Sequence, residues 1–354
     1  MTDFFNFQYI PNIGLKPAEM LAMKELPNST LDRMLPVFCL KPWANSKHLV
    51  SSVDRINMSV GERPWIADIA RKIKEPKTER PVHDELRQLL DPRDGYSNWV
   101  EFVRELPNAI PCIQLGNDRE LEGQCESLAN IGRGIVLRIS ESVHISNLPR
   151  LIRILNIRPD VSKLVIFDLG YLKPRQYETR AIELVRYVNC VLDELGDRVP
   201  IVISNTSFPM QFVDGINETD ILDRMIFNEV SKNTGYQRLI YGDWGSSRDL
   251  PGGGNGEKIP PRIDYPTQEK WIYVKDTEGD YQTAATSLIR DSGYWDEDLK
   301  IWASQMIKST RLNGNAIHNA RMCTAVRINM HLHLQTFYNE GDARFDTDDE
   351  WVDI

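Results

Sequence analysis

Short apolar runs rich in β-branched residues alternate with longer polar stretches through most of this 354-residue chain. The runs are nearly continuous in apolar residues, which is typical of strands buried on both faces, as in a parallel sheet covered by helices. We predict eight strands, over Tyr9–Ile13, Leu35–Lys41, Pro64–Ala70, Ala109–Gly116, Gly134–Ser140, Lys163–Gly170, Val199–Ser207 and Arg238–Ser246.

Helix-forming segments separate these strands. Pro17–Leu26 consists of strong helix formers, Ser97–Leu106 begins with an N-cap serine, and a third helix covers Tyr177–Leu195. The alternation predicts an α/β fold, and eight units over about 250 residues predict a (β/α)8 TIM-like barrel. An open doubly wound sheet is the alternative, although the first turn, NIGLKPAE, lacks the GxGxxG fingerprint of that fold.

The chain after the eighth strand changes in character. It is too rich in Gly and Pro for a helix, and we predict that Arg262–Tyr265 pairs with Trp271–Asp276 in a C-terminal β insertion over about residues 248–280. A helical extension follows over about residues 281–336. Residues 1–338 therefore read as a single barrel domain and residues 339–354 as an acidic, flexible tail. The segment of residues 72–97, which ends at Ser97, is predicted to be too polar to join the core.

Composition and charge narrow the class of protein. Net charge is -9, with much of the acidic excess in the last fifteen residues, so we expect no broad nucleic-acid surface. The sequence has no run of eighteen apolar residues and no secretory pattern at its start, which predicts no membrane association. Five scattered cysteines without a CxxC motif favour a reducing cytoplasm.

Several motifs together resemble one family. YIPNIGLKPAEMLAMKEL near the start, YGDWGSS after the eighth strand, the following PPRIDYPT with its Trp strand, and a C-terminal Asn–Ala–Arg…His stretch look like the "beta protein" family of phages and bacteria, with a namesake in a T-even phage. The resemblance covers nearly the whole chain except the tail. It implies a role in phage–host conflict and implies no reaction. His331–Leu332–His333 departs from the tighter histidine cluster expected of the family.

Polar side chains at the carboxyl ends of the predicted strands form the candidate site, since barrel active sites lie at that end. A charge inside an apolar strand is costly unless it is paired or used, although an Arg138–Asp168 pair would be sufficient as structure alone. The candidate catalytic residues are Asp68, Asp168, Asp243 and Lys41, and the candidate ligand-binding residues are Glu19, Gln114, Arg138, Asn205, Tyr241, Ser246 and Arg248.

The loops after strands seven and eight, Ser204–Ser207 and Gly242–Arg248, suit an anion, because small residues let backbone N–H groups approach a phosphate. Asp243 has two further readings, as a partner of Arg248 or as a ligand of a divalent cation. Convergence of Asp68, Asp168 and Asp243 would give an oxygen site for Mg²⁺ or Mn²⁺. Histidines two apart on a helix face away from each other, so we expect His331 and His333 to be surface or hydrogen-bonded residues.

Two functions follow from these residues. The first is a hydrolase that acts on a phosphorylated small molecule or nucleotide at the barrel mouth. The second is a non-catalytic binding protein in phage defence or counter-defence, with a protein partner. Convergent carboxylates beside an open cavity would favour the hydrolase. A mouth filled by Trp side chains, with every charge paired, would favour the binding protein.

Overall fold

The structure, a computed structural model, describes residues 2–70, 78–140, 145–247, 259–345 and 347. The strands in this part of the chain are β1 (Asn12–Ile13), β2 (Val37–Leu40), β3 (Trp65–Ile69), β4 (Ala109–Pro111), β5 (Ile135–Ile139), β6 (Lys163–Tyr171), β7 (Ile201–Thr206), β8 (Gly215–Asp220), β9 (Leu239–Asp243), β10 (Arg262–Pro266) and β11 (Lys270–Lys275). The helices are α1 (Pro17–Lys24), α2 (Asn28–Leu31), α3 (Val50–Val60), α4 (Pro81–Leu89), α5 (Arg93–Arg104), α6 (Leu121–Ala129), α7 (Leu148–Leu155), α8 (Tyr177–Leu195), α9 (Leu222–Thr234), α10 (Tyr281–Asp291), α11 (Trp302–Asn313) and α12 (Ala320–Thr336).

Two four-stranded parallel sheets form the centre of this mixed α/β fold. One has the order β1-β2-β3-β4 and the other the order β5-β6-β7-β9. Isolated parallel bridges join the sheets at both edges, Cys112 with Val136 and Tyr9 with Tyr241. The Ile113 N–H donates to the Val136 carbonyl at 2.9 Å, and the Ile10 N–H donates to the Tyr241 carbonyl at 2.9 Å. The α/β class is therefore confirmed, and closure into a barrel stays a prediction.

The apolar side chains divide into cores according to the face of the sheet. One buried cluster takes a residue from each parallel strand or from the residues next to it, Ile10, Val37, Ile66, Ile110, Val136, Ile166, Val202 and Ile240 among them. The residues of opposite phase, such as Phe38, Ala67 and Phe167, pack against the helices in the largest core. Successive strand residues point to opposite faces, so this division follows from the two-residue period.

A third, antiparallel sheet has the order β10-β11-β8. Arg262–Pro266 pairs with Trp271–Lys275, as the sequence predicts for this segment. β8 joins the other side of β11 along its whole length, from Gly215 opposite Lys275 to Asp220 opposite Lys270. β8 was not predicted from the sequence, because the residues of this strand, GINETD, are mostly exposed and show no apolar alternation. This sheet and helices α10, α11 and α12 enclose a second apolar core.

The helices test the sequence patterns further. Pro17–Lys24 and Tyr177–Leu195 confirm two predicted helices, the second with the predicted bounds. The prediction that residues 72–97 are too polar for the core is wrong over α4, where Val82, Leu86 and Leu89 are buried. Their spacing of four and three residues forms one apolar face, which the surrounding charges concealed. Helical geometry in α5 begins after Tyr96, because residues 94–96 have positive φ.

The predicted division into one domain and a flexible tail stays a prediction. Of that tail, the structure describes residues 339–345 and 347. A short 3-10 turn covers Gly341–Phe345, and Glu340 pairs with Arg33. No helix among the described residues is long and apolar enough to cross a membrane. All five cysteines are free thiols, and a cytoplasmic location stays an expectation.

Candidate functional site

Three charged side chains lie on the same face of the parallel strands as the apolar cluster. Each one follows a residue of that cluster by two positions. Ile66, Val136 and Ile166 belong to that cluster, so the two-residue period places Asp68, Arg138 and Asp168 on the same face. All three are buried, with exposed fractions of 0% for Asp68, 6% for Arg138 and 2% for Asp168. The sequence prediction that Asp168 and Arg138 lie together is confirmed by direct contact.

Arg138 binds both carboxylates at once. Its Nη1 donates to Asp68 Oδ2 at 2.6 Å, and its Nε donates to Asp168 Oδ2 at 3.0 Å. Burial by itself lowers the pKa of Arg138, but the negative charge of Cys39 when ionised and of Asp168 and Asp68 holds this pKa well above its ordinary value. The guanidinium therefore remains charged and fixed between two sheets.

Neutral donors satisfy the remaining carboxylate oxygens. The Gln114 amide donates to Asp68 Oδ1 at 3.0 Å, and the Ile69 N–H donates to the same oxygen at 2.8 Å. Asn12 Nδ2 donates to Asp168 Oδ2 at 3.0 Å, and Trp244 Nε1 donates to Asp168 Oδ1 at 2.7 Å. Each of the four carboxylate oxygens thus accepts at least one hydrogen bond, so the two anions share one cation and every carboxylate oxygen is satisfied.

Asp243 does not join this cluster, although it was predicted to converge with Asp68 and Asp168. Gly242 pairs with Ser204 in the sheet, and Asp243, the next residue, faces the other side of the sheet. Its carboxylate lies toward α12. It accepts from the Tyr9 hydroxyl, the Tyr241 hydroxyl at 2.9 Å and the Gly245 N–H at 2.7 Å, and it contacts His331 Nε2 at 2.6 Å. Burial raises the pKa of Asp243, but His331 and the hydrogen bonds hold it below its ordinary value. The predicted Arg248 partner lies outside the described residues.

The YGDWGS motif forms the turn that keeps Asp243 apart from Asp68 and Asp168. A Cβ at Gly242 would lie 2.7 Å from the Ile10 carbonyl oxygen and 2.8 Å from Val202 Cγ1, so only glycine fits there. Gly245 and Ser246 both have left-handed backbone, with φ of 53° and 62°. The turn thereby directs Trp244 to Asp168 and Asp243 to His331.

His331, which the sequence predicts to be a surface or hydrogen-bonded residue, is hydrogen-bonded to Asp243. Its side chain is fully buried, and its ring centroid lies 4.6 Å from that of Trp271. In the described part of the chain its Nδ1 has no hydrogen-bond partner. His333, on the other side of α12, contacts Thr30 Oγ1 at 2.8 Å and the Arg344 carbonyl at 2.8 Å. The expected divergence of the two histidines is confirmed, and of the two expected states, surface or hydrogen-bonded, both histidines have the second, inside the protein.

Asp223, in the first turn of α9, is a buried acid that the sequence did not indicate. Its Oδ2 accepts from the Ser207 N–H at 3.1 Å, and its Oδ1 has no partner among the described residues. Burial, and next the charge of Asp243, raise the pKa of Asp223 to about 8. This carboxyl therefore carries a proton at neutral pH in the folded chain.

The remaining predicted residues are dispersed around the strand ends. Glu19 accepts from the Ser247 hydroxyl at 3.2 Å, Asn205 Oδ1 accepts from Arg180 at 3.2 Å, and the Ser246 hydroxyl accepts from Arg327 Nε at 3.1 Å. Lys41 is half-buried, and its carbonyl accepts from the Ser52 hydroxyl at 2.7 Å. The two loops predicted to hold phosphate bind each other, since the Thr206 hydroxyl donates to the Ser247 carbonyl at 2.7 Å.

Comparison with known proteins places the chain in a family. The family model described as Beta protein matches residues 9–337. This chain belongs to the Beta protein family. It is similar to "Protein beta" of Enterobacteria phage P4, with 24% identity over 98% of each chain. The resemblance seen in the sequence motifs is therefore confirmed at the level of the family, while a T-even namesake stays a prediction.

The described residues contain no group of three or more His, Cys, Asp or Glu side chains arranged to hold a metal ion. Asp68 and Asp168 face a shared guanidinium, and Asp243 faces a histidine. The three aspartates therefore do not converge as the Mg²⁺ or Mn²⁺ site that the sequence suggested.

Replacing Asp223 with asparagine should change how stability depends on pH. Because the folded chain keeps the Asp223 proton up to about pH 8, whereas the unfolded chain loses it near its ordinary pKa, the free energy of unfolding should fall as pH rises through this window. Asp223→Asn should remove this fall, which is on the order of 5 kcal/mol at pH 8. Urea unfolding at pH 5 and pH 8 measures it, with exposed Asp118→Asn as the control. Equal pH slopes in wild type and Asp223→Asn would contradict the assignment.

Replacing Arg138 should be far more costly than replacing a surface arginine. Arg138→Met leaves two buried carboxylates without their cation and should lower the free energy of unfolding by about 3–5 kcal/mol. Arg150→Met breaks an exposed pair with Asp118, 2.9 Å apart, and should cost less than about 1 kcal/mol. Urea denaturation of both variants gives the comparison. Similar small losses would show that the buried cluster contributes little.

Proposed function

We propose that this chain is a phage-associated, non-catalytic binding protein, in which one (β/α)8 barrel serves as a scaffold. The observation that carries the proposal is that every carboxylate oxygen in the buried cluster of Arg138, Asp68 and Asp168 accepts a hydrogen bond within the fold. Arg138 lies between Asp68 and Asp168 at hydrogen-bond distance, and neutral side chains donate to the same carboxylates. The phage association rests on membership of the Beta protein family and on the relative from phage P4.

Two observations support a closed barrel. Parallel bridges occur at both edges where the two sheets meet, between Cys112 and Val136 and between Tyr9 and Tyr241. One apolar cluster also draws on all eight parallel strands or the residues next to them, as the interior of a closed ring requires. In an open sheet the first and last strands would not share one buried face. An open doubly wound sheet is thus the less supported architecture.

The paired carboxylates argue against hydrolysis at the strand ends. A general base needs a lone pair that can reach a substrate proton, and a phosphate-binding arginine needs free N–H groups. Here the oxygens of Asp68 and Asp168 all accept hydrogen bonds within the fold, and Trp244 lies against Asp168. A polar cluster that is fully satisfied specifies and stiffens a core.

The alternative is a hydrolase of a phosphorylated small molecule or nucleotide, with an aspartate as base and a divalent cation. It requires the Arg138 pairs to open when substrate binds, at the cost of exposing buried charges. The binding role, in phage defence or counter-defence, requires no such opening. We place this role in the reducing cytoplasm, in keeping with the five free thiols.

Phosphorus NMR distinguishes the two functions. The full chain is incubated with nucleoside mono-, di- and triphosphates and with sugar phosphates, in the presence of Mg²⁺ or Mn²⁺. We expect the phosphorus spectra to remain unchanged, because the oxygens of Asp68 and Asp168 already accept hydrogen bonds within the fold. Saturable turnover that Asp168→Asn abolishes at an equal concentration of folded protein would overturn the proposal.

Phage plating tests the biological side of the proposal. Expression of the chain in a bacterial host should change the plating efficiency of at least one phage tenfold or more. Asp168→Asn, brought to the same soluble level by immunoblot, should retain this change, because Asp168 belongs to the scaffold. No effect of the wild type on any phage, or loss of the effect in this variant at matched level, would contradict the proposed role.

A further inference from the structure

A cavity of about 510 Å³ lies away from the paired charges, between α9 and the end of α12, over the start of β9 and the N-terminal segment. We propose that it binds a small ring-bearing phosphate of the nucleotide class. The inference rests on the proposed binding function and names the ligand of that function. Cavities of roughly 300–1,000 Å³ are the usual size for small-molecule sites.

Aromatic rings form a large part of the cavity wall. Phe5 and Phe7 come from the N-terminal segment, Phe227 from α9, and Tyr338 from the chain after α12. Phe7, Phe227 and Tyr338 are half-buried, so their faces are neither sealed in the core nor fully in solvent. Planar bases stack on such faces in many nucleotide sites.

Two arginines line the same cavity, and aromatic rings hold both in place. The Arg224 guanidinium carbon lies 3.4 Å from the Tyr241 ring centroid and 4.0 Å from that of Tyr338. Its Nε and Nη2 donate to Gln335 Oε1 at 2.9 Å and 2.7 Å. The Arg238 guanidinium carbon lies 4.5 Å from the Phe5 ring centroid. Stacking fixes the plane of a guanidinium, and the Nη1 of Arg224, which does not bond to Gln335, remains on the side left for an anion.

The charge of these arginines is unbalanced. Across the residues that the structure describes, neither Arg224 nor Arg238 has a carboxylate within ion-pair distance, and the one acid of the wall, Glu340, pairs with Arg33. Asp243 acts on Arg224 only through space, because its oxygens are engaged elsewhere. Arg224 is 5% exposed, and a buried cation without a counter-ion is costly. An anion in the cavity would remove that cost.

The combination selects the ligand class. Two guanidinium groups suit a phosphate, which accepts hydrogen bonds from arginine forks. A bare inorganic anion would leave the aromatic wall uncovered, and an uncharged ring would leave the arginines unpaired. The side-chain amides of Gln8 and Gln237 at the rim supply donors and acceptors for the edge of a base. A nucleoside phosphate uses all three features at once.

Calorimetric titration of the full chain tests the proposal. The probes are AMP, GMP, CMP and UMP, each compared with its nucleoside, and inorganic phosphate. We expect at least one nucleotide to bind at least tenfold more tightly than its nucleoside and than phosphate. Arg238→Ala, at an exposed position, should weaken that binding tenfold or more. Arg186→Ala is the matched control, because Arg186 is also exposed and lies over an aromatic ring, Tyr187, outside this cavity. Its affinity should equal that of the wild type.

Three results would overturn this inference: no saturable binding of any nucleotide, equal affinity for nucleotide and nucleoside, or unchanged affinity in Arg238→Ala. The first and second would leave the proposed function standing, because they concern the ligand alone. Hydrolysis of a bound nucleotide would instead overturn the proposed function. Binding that survives Arg238→Ala and disappears in Asp168→Asn would place the ligand at the strand ends and overturn both.

Discussion

The ion cluster of Arg138 with Asp68 and Asp168 is the interaction on which the rest of the parallel sheets depends. Asp68 belongs to the first sheet, whereas Arg138 and Asp168 belong to the second, so one guanidinium joins the two. Burying such ions costs several kcal/mol each unless every donor and acceptor finds a partner. That requirement fixes Gln114, Asn12 and Trp244, whose side chains donate to the same carboxylates.

This constraint explains why two arginine environments in the same chain differ so much. Arg138 has two carboxylates and lies in a fully satisfied cluster, so it has no free capacity for a ligand. Arg224 and Arg238 have aromatic faces and amide or carbonyl oxygens instead, so their charge is held in place without being neutralised. A fully hydrogen-bonded ion cluster stiffens a core, whereas a fixed arginine without a carboxylate partner suits the binding of an anion. The neighbours of each arginine therefore decide whether it serves as a structural residue or as a candidate ligand-binding residue.

The sequence predicted the elements that depend on local pattern. Apolar runs located the parallel strands, and an aspartate in VIFDLG next to an arginine in IVLRIS was enough to predict that Asp168 meets Arg138. Contacts between residues far apart in the chain escaped it. His331 and Asp243 are separated by 88 positions, and no spacing rule relates a residue of the last helix to a strand end. β8 escaped for another reason, since an exposed edge strand has no apolar alternation to detect.

The seam between β9 and β1 shows what those long-range contacts accomplish. In the described residues, backbone pairing at this seam consists of the Tyr9–Tyr241 bridge and its hydrogen bonds, fewer than between neighbouring strands of either sheet. Side chains supply further contacts across this seam. The rings of Tyr9 and Tyr241 are stacked, and the hydroxyls of both donate to Asp243, which also contacts His331 of α12. Arg224 lies on the outer face of the same Tyr241 ring, so the wall of the cavity and the link across the seam share one residue. A rigid seam therefore keeps the guanidinium in one orientation, and an arginine held in this way loses less entropy when it binds an anion than one that is free to move.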